Sequence, residues 1–186
     1  MIETSGKNQL VILDRDGVIN QDSKDFIKSE KEWIPIPGSI DAIASLSNSG
    51  FIVAIATNQS GIARNLFGFK ELEAMHLKLH NLVNEAGGCI DKIIVCPHGP
   101  DENSDCRKPN PKMLNTLIED YEISNENVFA IGDSLRDLEA ADRANVTPLL
   151  VRTGNGLETE KNLPPKFSKV RIFNDLAEAA IDMIKD

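Results

Sequence analysis

Short apolar runs alternate along this chain with segments of helical periodicity, and this alternation restricts the possible folds more than any other feature. Leu10–Leu13 and Phe51–Ala56 are apolar runs of strand length, and Ile40, Ile43 and Leu46 between them recur at helical spacing. The alternation continues with strands predicted at 90–95, 128–131, 149–151 and 170–173 and helices at 72–82, 113–122, 135–144 and 175–184. Strands that alternate with helices form a parallel sheet. The sequence therefore predicts an α/β fold, a doubly wound (Rossmann-like) parallel sheet with helices on both faces.

Length and charge narrow the class of protein further. The 186 residues favour one domain, 1–186, because no repeat, low-complexity tract or linker divides them. The net charge of -9 disfavours nucleic acid and anionic membranes as partners, since both would repel the chain. No stretch is long enough to span a bilayer. Because Met1–Gln9 is short and polar, without the apolar core of a signal peptide, we expect a cytoplasmic location.

Polar residues cluster where the predicted strands end, which is where ligands bind in open parallel sheets. Asp14 and Asp16 follow the first strand, so one carboxylate could attack phosphorus while the other handles the proton of the leaving group. Thr57–Ser60, after the second strand, offers a hydroxyl and the free backbone amides of a predicted helix start, which together suit an anion. The four polar segments thus begin with a pair of carboxylates and an anion site.

Two further segments supply cations and metal ligands. Arg107 and Lys108 follow a long loop and could neutralise a phosphate group. Asp133 follows the fourth strand, and Asp137 lies on the same face of the helix that begins there. Clustered carboxylates suit Mg²⁺, which prefers oxygen ligands.

Each segment alone also has a simpler interpretation. Asp-Gly pairs are common in solvated turns, and exposed Arg-Lys pairs are usually solvated. Thr57, Ser60 and Asp133 could each be helix caps. Four such segments at successive strand ends nevertheless favour a single phosphate site.

A nucleophile, a hydroxyl, a cation and a metal-binding carboxylate follow one another in this order along the chain. This order resembles that of the haloacid dehalogenase superfamily of phosphatases, and the resemblance covers nearly the whole chain. The resemblance implies that Asp14 forms an aspartyl-phosphate, that Asp16 is its acid/base partner, and that Thr57 and Lys108 stabilise the phosphoryl group. It also implies magnesium held by Asp14, Asp133 and the backbone carbonyl of Asp16. The length leaves room for a minimal cap domain or none. The implied substrate-binding residues are Asp22, Asp25, Asn58, Gln59, Ser60, Arg107 and Ser134.

The pKa of Asp16 bears on its role as an acid. A nearby like charge raises the pKa of a carboxyl group. We therefore expect Asp14 to keep Asp16 protonated.

Three segments of the sequence resemble one branch of this superfamily more closely than the general pattern does. Asp14–Asn20, Thr57–Arg64 and Cys96–His98 resemble the heptose bisphosphate phosphatase branch, which implies hydrolysis of the 7-phosphate of D-glycero-D-manno-heptose 1,7-bisphosphate in the supply of heptose for cell-surface polysaccharide such as lipopolysaccharide. Small members of this family are commonly monomeric, so the resemblance also implies a monomer. Histidinol-phosphate phosphatases share much of this sequence and remain an alternative. A phospho-receiver switch is the non-enzyme alternative, although receivers lack the second carboxylate, Asp16.

The loop 96–108 resembles part of a structural zinc site. An odd count of three cysteines argues against a disulfide framework and leaves metal binding open. Cys96, His98 and Cys106 are suitable zinc ligands, but relatives carry a further cysteine where this chain has Ser104. Asp101, Asp105 or a water could supply the fourth ligand. A metal-free loop is the alternative.

Overall fold

The computed structural model describes residues 9–185, so the polar segment 1–8 used above lies outside the described residues. Six parallel strands form one sheet: β1 (Gln9–Leu13), β2 (Phe51–Asn58), β3 (Lys92–Cys96), β4 (Val128–Gly132), β5 (Thr147–Val151) and β6 (Arg171–Phe173). The strand order is β3-β2-β1-β4-β5-β6. The order reverses direction at β1, which places a topological switch point beside the two central strands β1 and β4.

Six helices connect the strands: α1 (Ser39–Asn48), α2 (Phe69–Glu85), α3 (Lys112–Tyr121), α4 (Leu135–Arg143), α5 (Gly156–Lys161) and α6 (Leu176–Lys185). Alternate residues of β1 point to opposite faces of the sheet, as the pleat requires. Val11 and Leu13 pack with α1, α2 and α6, whereas Leu10 and Ile12 pack with α3 and α4. Helices on both faces confirm the predicted doubly wound α/β architecture.

Two parts of the chain differ from the sequence prediction. The short helix α5 was not predicted, since its charged sequence shows no apolar face. The segment after Thr57 was predicted as a helix start, but it continues into successive tight turns, and α2 begins only at Phe69. Within this turn segment Gly61 lies against the ring of Phe67, where a Cβ would lie 2.2 Å from a ring carbon.

In residues 9–185, no helix combines the length and apolarity needed to cross a bilayer.

Candidate active site

The carboxyl ends of the strands bring the predicted catalytic residues to one edge of the sheet. Asp14 follows β1, and Asp133 follows β4. Thr57 is the second-last residue of β2, and Lys108 comes from the loop after β3. All four side chains are buried. Buried polar side chains need partners, and the partners of these residues determine the geometry of the site.

Lys108 lies between two carboxylates. Its Nζ is 2.8 Å from Oδ1 of Asp14 and 2.6 Å from Oδ1 of Asp137. Burial alone would lower the pKa of Lys108, but the charges of Asp137 and Asp14 outweigh it and raise the pKa above its ordinary value. The lysine is therefore a permanent cation beside Asp14.

The backbone of Lys108 is fixed by the strand next to Asp14. The Asn58 amide donates from Nδ2 to the carbonyl of Lys108 at 3.1 Å and accepts the N–H of Lys108 at 3.0 Å. Asn58 was predicted to bind substrate and lines the cavity described below, yet both ends of its amide contact Lys108. Its observed contacts are thus those of a residue that orients the lysine.

Asp16 is held by an unusually dense set of donors. Arg15 donates to both carboxylate oxygens, with Nη2 at 2.8 and 3.0 Å and Nε at 3.1 Å, while Asn20 and Gln59 add bonds of 2.9 and 2.8 Å. Gln59 also donates to Thr57 Oγ1 at 2.9 Å, which connects Thr57 to Asp16.

These donors overturn the expectation that Asp16 stays protonated. Burial does raise the pKa of Asp16, but the charge of Arg15 and the hydrogen bonds from Asn20, Arg15 and Gln59 exceed it, and the net pKa is lowered. Asp14 is a minor neighbour by comparison, and Asp16 is a carboxylate in the free protein.

Asp133 has one oxygen bound and one free. Its Oδ2 accepts hydrogen bonds from the backbone N–H of Asn155 at 2.7 Å and from the Asn155 Nδ2 at 3.0 Å. Its buried Oδ1 has no hydrogen-bond partner among residues 9–185. Carboxylate oxygens of Asp14, Asp133 and Asp137 lie within 4.8 Å of one another. The free buried oxygen in a group of three acids fits a hard cation such as Mg²⁺.

The protonation of these acids supports the same conclusion. Burial, offset in part by Lys108 and reinforced by Asp137, raises the pKa of Asp14 to about 6. Burial and the charges of Asp137 and Asp14 raise the pKa of Asp133 to about 7. Lys108 alone does not offset the repulsion among three buried carboxylates, so a divalent cation would stabilise their charged forms.

Asp137 was predicted to lie on the same helix face as Asp133, and it contacts both Lys108 and Ser134. Its carboxylate accepts the N–H and hydroxyl of Ser134, forming a capping box at the start of α4. The N-cap of α4 is therefore Ser134, and the interpretation of Asp133 as a helix cap is wrong. The Ser134 hydroxyl is bonded to Asp137, and Ser134 does not line the cavity, which leaves its predicted role in substrate binding without support from the geometry.

A polar cavity of about 180 Å³ opens above Asp14 and Asp16. Most of the predicted substrate-binding residues line it, together with residues of the loop that follows β1; the lining comprises Asp14, Asp16, Asp22, Ser23, Phe26, Ile27, Asn58, Gln59, Ser60, Arg107 and Arg136. Asp25 is exposed and does not line the cavity. The cavity has the size and polarity of a site for a small charged metabolite.

Sequence reasoning missed three residues of the site. Arg15, which lies between the two aspartates, and Arg136, in α4, were not among the predicted site residues. Asn155, in the loop before the unpredicted α5, binds Asp133 and also donates to Asp22 at 3.1 Å. No motif marks Asn155, but its position after a fifth strand end was a usable signal.

The loop 96–108 brings its three predicted zinc ligands together. Donor atoms of Cys96, His98 and Cys106 lie within 4.8 Å of one another. Ser104, which replaces the cysteine of relatives, places its Oγ 2.7 Å from His98 Nδ1 and 3.2 Å from Cys106 Sγ. Asp105 instead pairs with Lys112, which removes it from the candidates for a fourth ligand.

The structure joins Cys96 and Cys106 in a disulfide, contrary to the expectation of unpaired cysteines. Their Cα atoms are 5.6 Å apart, which is within the range that a disulfide spans. The chain between Cys96 and Cys106 folds back, so that the two cysteines lie close together. The odd cysteine count could not exclude this pair, because Cys89 is the third cysteine and lies outside the disulfide.

The sheet order and the acids at its carboxyl edge define the haloacid dehalogenase-like class of hydrolases, and the family model described as HAD-hydrolase-like matches residues 105–179. A D-glycero-beta-D-manno-heptose-1,7-bisphosphate 7-phosphatase from Pseudomonas putida is 54% identical over 95% of this chain and 99% of its own length. The chain therefore belongs to the family of the heptose-1,7-bisphosphate 7-phosphatases, and it is a phosphatase.

Relatives from other bacteria agree with this placement. The enzyme of the same name from Bordetella bronchiseptica is 47% identical over 96% of this chain and 99% of its own length. The crystal structure of D,D-heptose 1,7-bisphosphate phosphatase from B. bronchiseptica, complexed with magnesium and phosphate, superposes with a TM-score of 0.91 and covers 95% of this chain and 98% of that one. These relatives favour the heptose branch over the histidinol-phosphate alternative.

Proposed function

We propose that this protein hydrolyses the 7-phosphate of D-glycero-D-manno-heptose 1,7-bisphosphate through an aspartyl-phosphate on Asp14, with Mg²⁺ as cofactor. The observation that carries the proposal is the buried Asp14 carboxylate, paired with Lys108 at the floor of a cavity that Asp16 also lines. Relatives at 47% to 54% identity are named for that substrate. The polar cavity fits a small phosphorylated sugar and supports the same substrate class.

The first chemical step is attack by an Asp14 oxygen on phosphorus. The O–P bond to the sugar breaks as the Asp14–phosphorus bond forms, and the departing sugar oxygen takes a proton from Asp16. Asp16 is charged in the free protein, and an arriving phosphate dianion beside it would raise its pKa and favour uptake of the proton that it later donates. Lys108 and Thr57 stabilise the charge of the transferring group.

The second step is hydrolysis of the aspartyl-phosphate. Asp16, now a carboxylate, accepts a proton from water, whose oxygen attacks phosphorus while the bond to Asp14 breaks. The products are inorganic phosphate, free Asp14 and a protonated Asp16. The donors Arg15, Asn20 and Gln59 hold the Asp16 carboxylate in place for this role.

Asp14 and Asp133, with the backbone carbonyl of Asp16, would hold the magnesium ion. The partnerless Oδ1 of Asp133 supports this ligand set, and Asp137 is occupied by Lys108 and Ser134. When bound, the ion supplies positive charge that offsets the repulsion between a carboxylate nucleophile and a phosphate dianion.

A phosphate-release screen tests the function. Both anomers of heptose 1,7-bisphosphate, histidinol phosphate and a generic aryl phosphate would be compared with and without Mg²⁺, with Asp14→Asn as the blank. We expect the highest kcat/KM for a heptose bisphosphate and no turnover without the metal. A preference for histidinol phosphate would overturn the substrate, and turnover by Asp14→Asn would overturn the mechanism. A receiver switch would not turn over repeatedly.

We further propose that reduced protein binds zinc through Cys96, His98 and Cys106, with Ser104 or water in the fourth position. Zinc and the disulfide exclude each other because they use the same two sulfurs. Metal analysis and thiol counting on protein purified without chelators or oxidants decide between them. About one equivalent of zinc with three titratable thiols in denaturant supports the site, whereas one thiol and less than about one-third equivalent supports the disulfide.

The remaining proposals concern the whole molecule. We propose that the chain is a single domain, 1–186, that acts as a monomer in the cytoplasm. One continuous sheet and the net charge of -9 support this proposal. Gel filtration with light scattering would test the monomer, and a dimer mass would contradict it.

A further inference from the structure

Three arginines lie in or beside the cavity, and the described residues 9–185 give none of them an ion pair. Arg107 and Arg136 line the cavity, and Arg64 lies over the ring of Phe26, which lines it too, with the guanidinium 5.6 Å from the ring centroid. Within residues 9–185, Arg107 donates only to the carbonyl oxygen of His98, at 3.1 Å. None of the three forms an ion pair in that described part of the chain, although acids outnumber bases 29 to 20 in the sequence.

These guanidinium groups are near enough to repel one another. The pKa of Arg107 is lowered, first by burial and then by the charges of Arg136 and Arg64. Several other cations of this acidic protein do have acidic partners, as Arg152 has in Glu160. Like charges gathered beside a cavity are stabilised when an anion binds between them.

The reacting phosphate does not account for this charge. That phosphate lies at Asp14, where Lys108 supplies the local cation. A sugar bisphosphate carries a second dianion at its other end, and Arg107 and Arg136 are cations of the cavity that form no ion pair within residues 9–185. Guanidinium groups bind phosphate oxygens through two parallel hydrogen bonds.

We propose that Arg136, together with Arg64, joins Arg107 in binding the non-reacting phosphate, and that Arg136 is a specificity-determining residue that selects bisphosphates over monophosphates. The inference rests on the proposed function, since it assigns the second phosphate of that substrate. The competing explanation is that Arg136 only balances the acids around it, because Asp137, Asp14, Asp133 and Asp22 all raise its pKa.

The two explanations predict different kinetics for Arg136→Gln. If Arg136 binds the second phosphate, kcat/KM for the heptose bisphosphate falls about tenfold to hundredfold, mainly through KM, and falls at least about tenfold more than for an aryl monophosphate. Arg136→Lys should restore part of the preference. Equal losses on both substrates would mean that Arg136 serves the acid cluster, and the proposal would be wrong. Lys166→Gln, which removes an exposed cation far from the cavity, is the matched charge control.

A competition assay separates this inference from the substrate assignment. With an aryl phosphate as reporter, D-mannose 1,6-bisphosphate and D-mannose 6-phosphate would be compared as inhibitors of wild type and Arg136→Gln. We expect the bisphosphate to inhibit wild type more strongly and to lose that advantage in the variant, whatever substrate proves to be hydrolysed. Equal inhibition of wild type by the two sugars would overturn the proposed second phosphate site.

Discussion

Lys108 and Asp14 are 94 residues apart in the chain, yet their side chains form a 2.8 Å ion pair that is almost fully buried. Asp137 contacts the same ammonium group from the other side at 2.6 Å. Removing one partner of a buried ion pair leaves an uncompensated charge, which is more destabilising than the pair is stabilising. Lys108 therefore supports both the stability of the site and its chemistry.

Lys108→Ala should lower kcat by at least about 100-fold and the free energy of unfolding by about 3–5 kcal/mol. The matched control is Lys112→Ala, whose ion pair with Asp105 is exposed and should contribute less than about 1 kcal/mol. Steady-state kinetics and urea unfolding at pH 7.5 measure the two effects. Similar stability losses in the two variants would contradict the buried role of Lys108.

Arg15→Met should impair proton transfer by Asp16. The variant removes three of the contacts that orient the Asp16 carboxylate, and small displacements of a catalytic group reduce rates strongly. We expect kcat for the sugar phosphate to fall about tenfold to hundredfold, with a smaller fall for a nitrophenyl phosphate, whose leaving group needs less protonation. Arg15→Lys keeps the charge but not the planar fork, and should be intermediate. Equal losses on both substrates would argue against an effect through Asp16.

The strands and most site residues could be predicted because they depend on local patterns. The apolar run at Leu10–Leu13 and its polar end at Asp14 give both a strand and a catalytic edge, since carboxyl ends of parallel strands meet at one side. The helix predicted at 135–144 likewise begins at Leu135 in the structure. Strands and helix starts such as these depend on short stretches of sequence, and they were predicted correctly.

Other features depend on contacts between distant segments. The pKa of Asp16 follows from Gln59 and Asn20 as well as Arg15, and no spacing rule shows that these donors converge. Asn155 reaches Asp133 from a loop whose sequence has no motif. The pairing of Cys96 with Cys106 depends on the path of the loop between them. These were the parts that sequence reasoning missed or predicted wrongly.

His76 should make the protein less stable as the pH falls. Its Nε2 is buried without a hydrogen-bond partner, and burial, assisted by the charges of Arg15 and His80 and opposed by Asp16, lowers its pKa from 6.5 to about 4. Below pH 6.5 the unfolded chain binds a proton that the native protein does not, so stability is lost between pH 6.5 and about 4. By pH 5 this loss should reach about 2 kcal/mol.

Urea unfolding of wild type and His76→Gln at pH 7.5 and pH 5 isolates this effect. The variant should lose about 2 kcal/mol less between the two pH values, because contributions of the other titrating groups are common to both proteins. His80→Gln, a change one helical turn away that keeps His76, should retain most of the wild-type pH dependence, because burial lowers the pKa of His76 more than the charge of His80 does. Identical pH dependence in wild type and His76→Gln would show that the native His76 is not held neutral.

Gly17→Ala should disrupt metal binding because Gly17 lies against a proposed magnesium ligand. Gly17 has φ +85, and a Cβ there would lie 2.2 Å from Oδ2 of Asp133. Gly50→Ala is the matched control, since Gly50 has φ +91 but its Cβ would meet no atom within 4 Å. The unfavourable backbone conformation should destabilise both variants by about 1–2 kcal/mol. Only Gly17→Ala should weaken Mg²⁺ binding, by at least about tenfold in calorimetric titration without substrate, since displaced ligands lower metal affinity. Equal Mg²⁺ affinity in the two variants would show that the contact between Gly17 and Asp133 does not position the metal ligand.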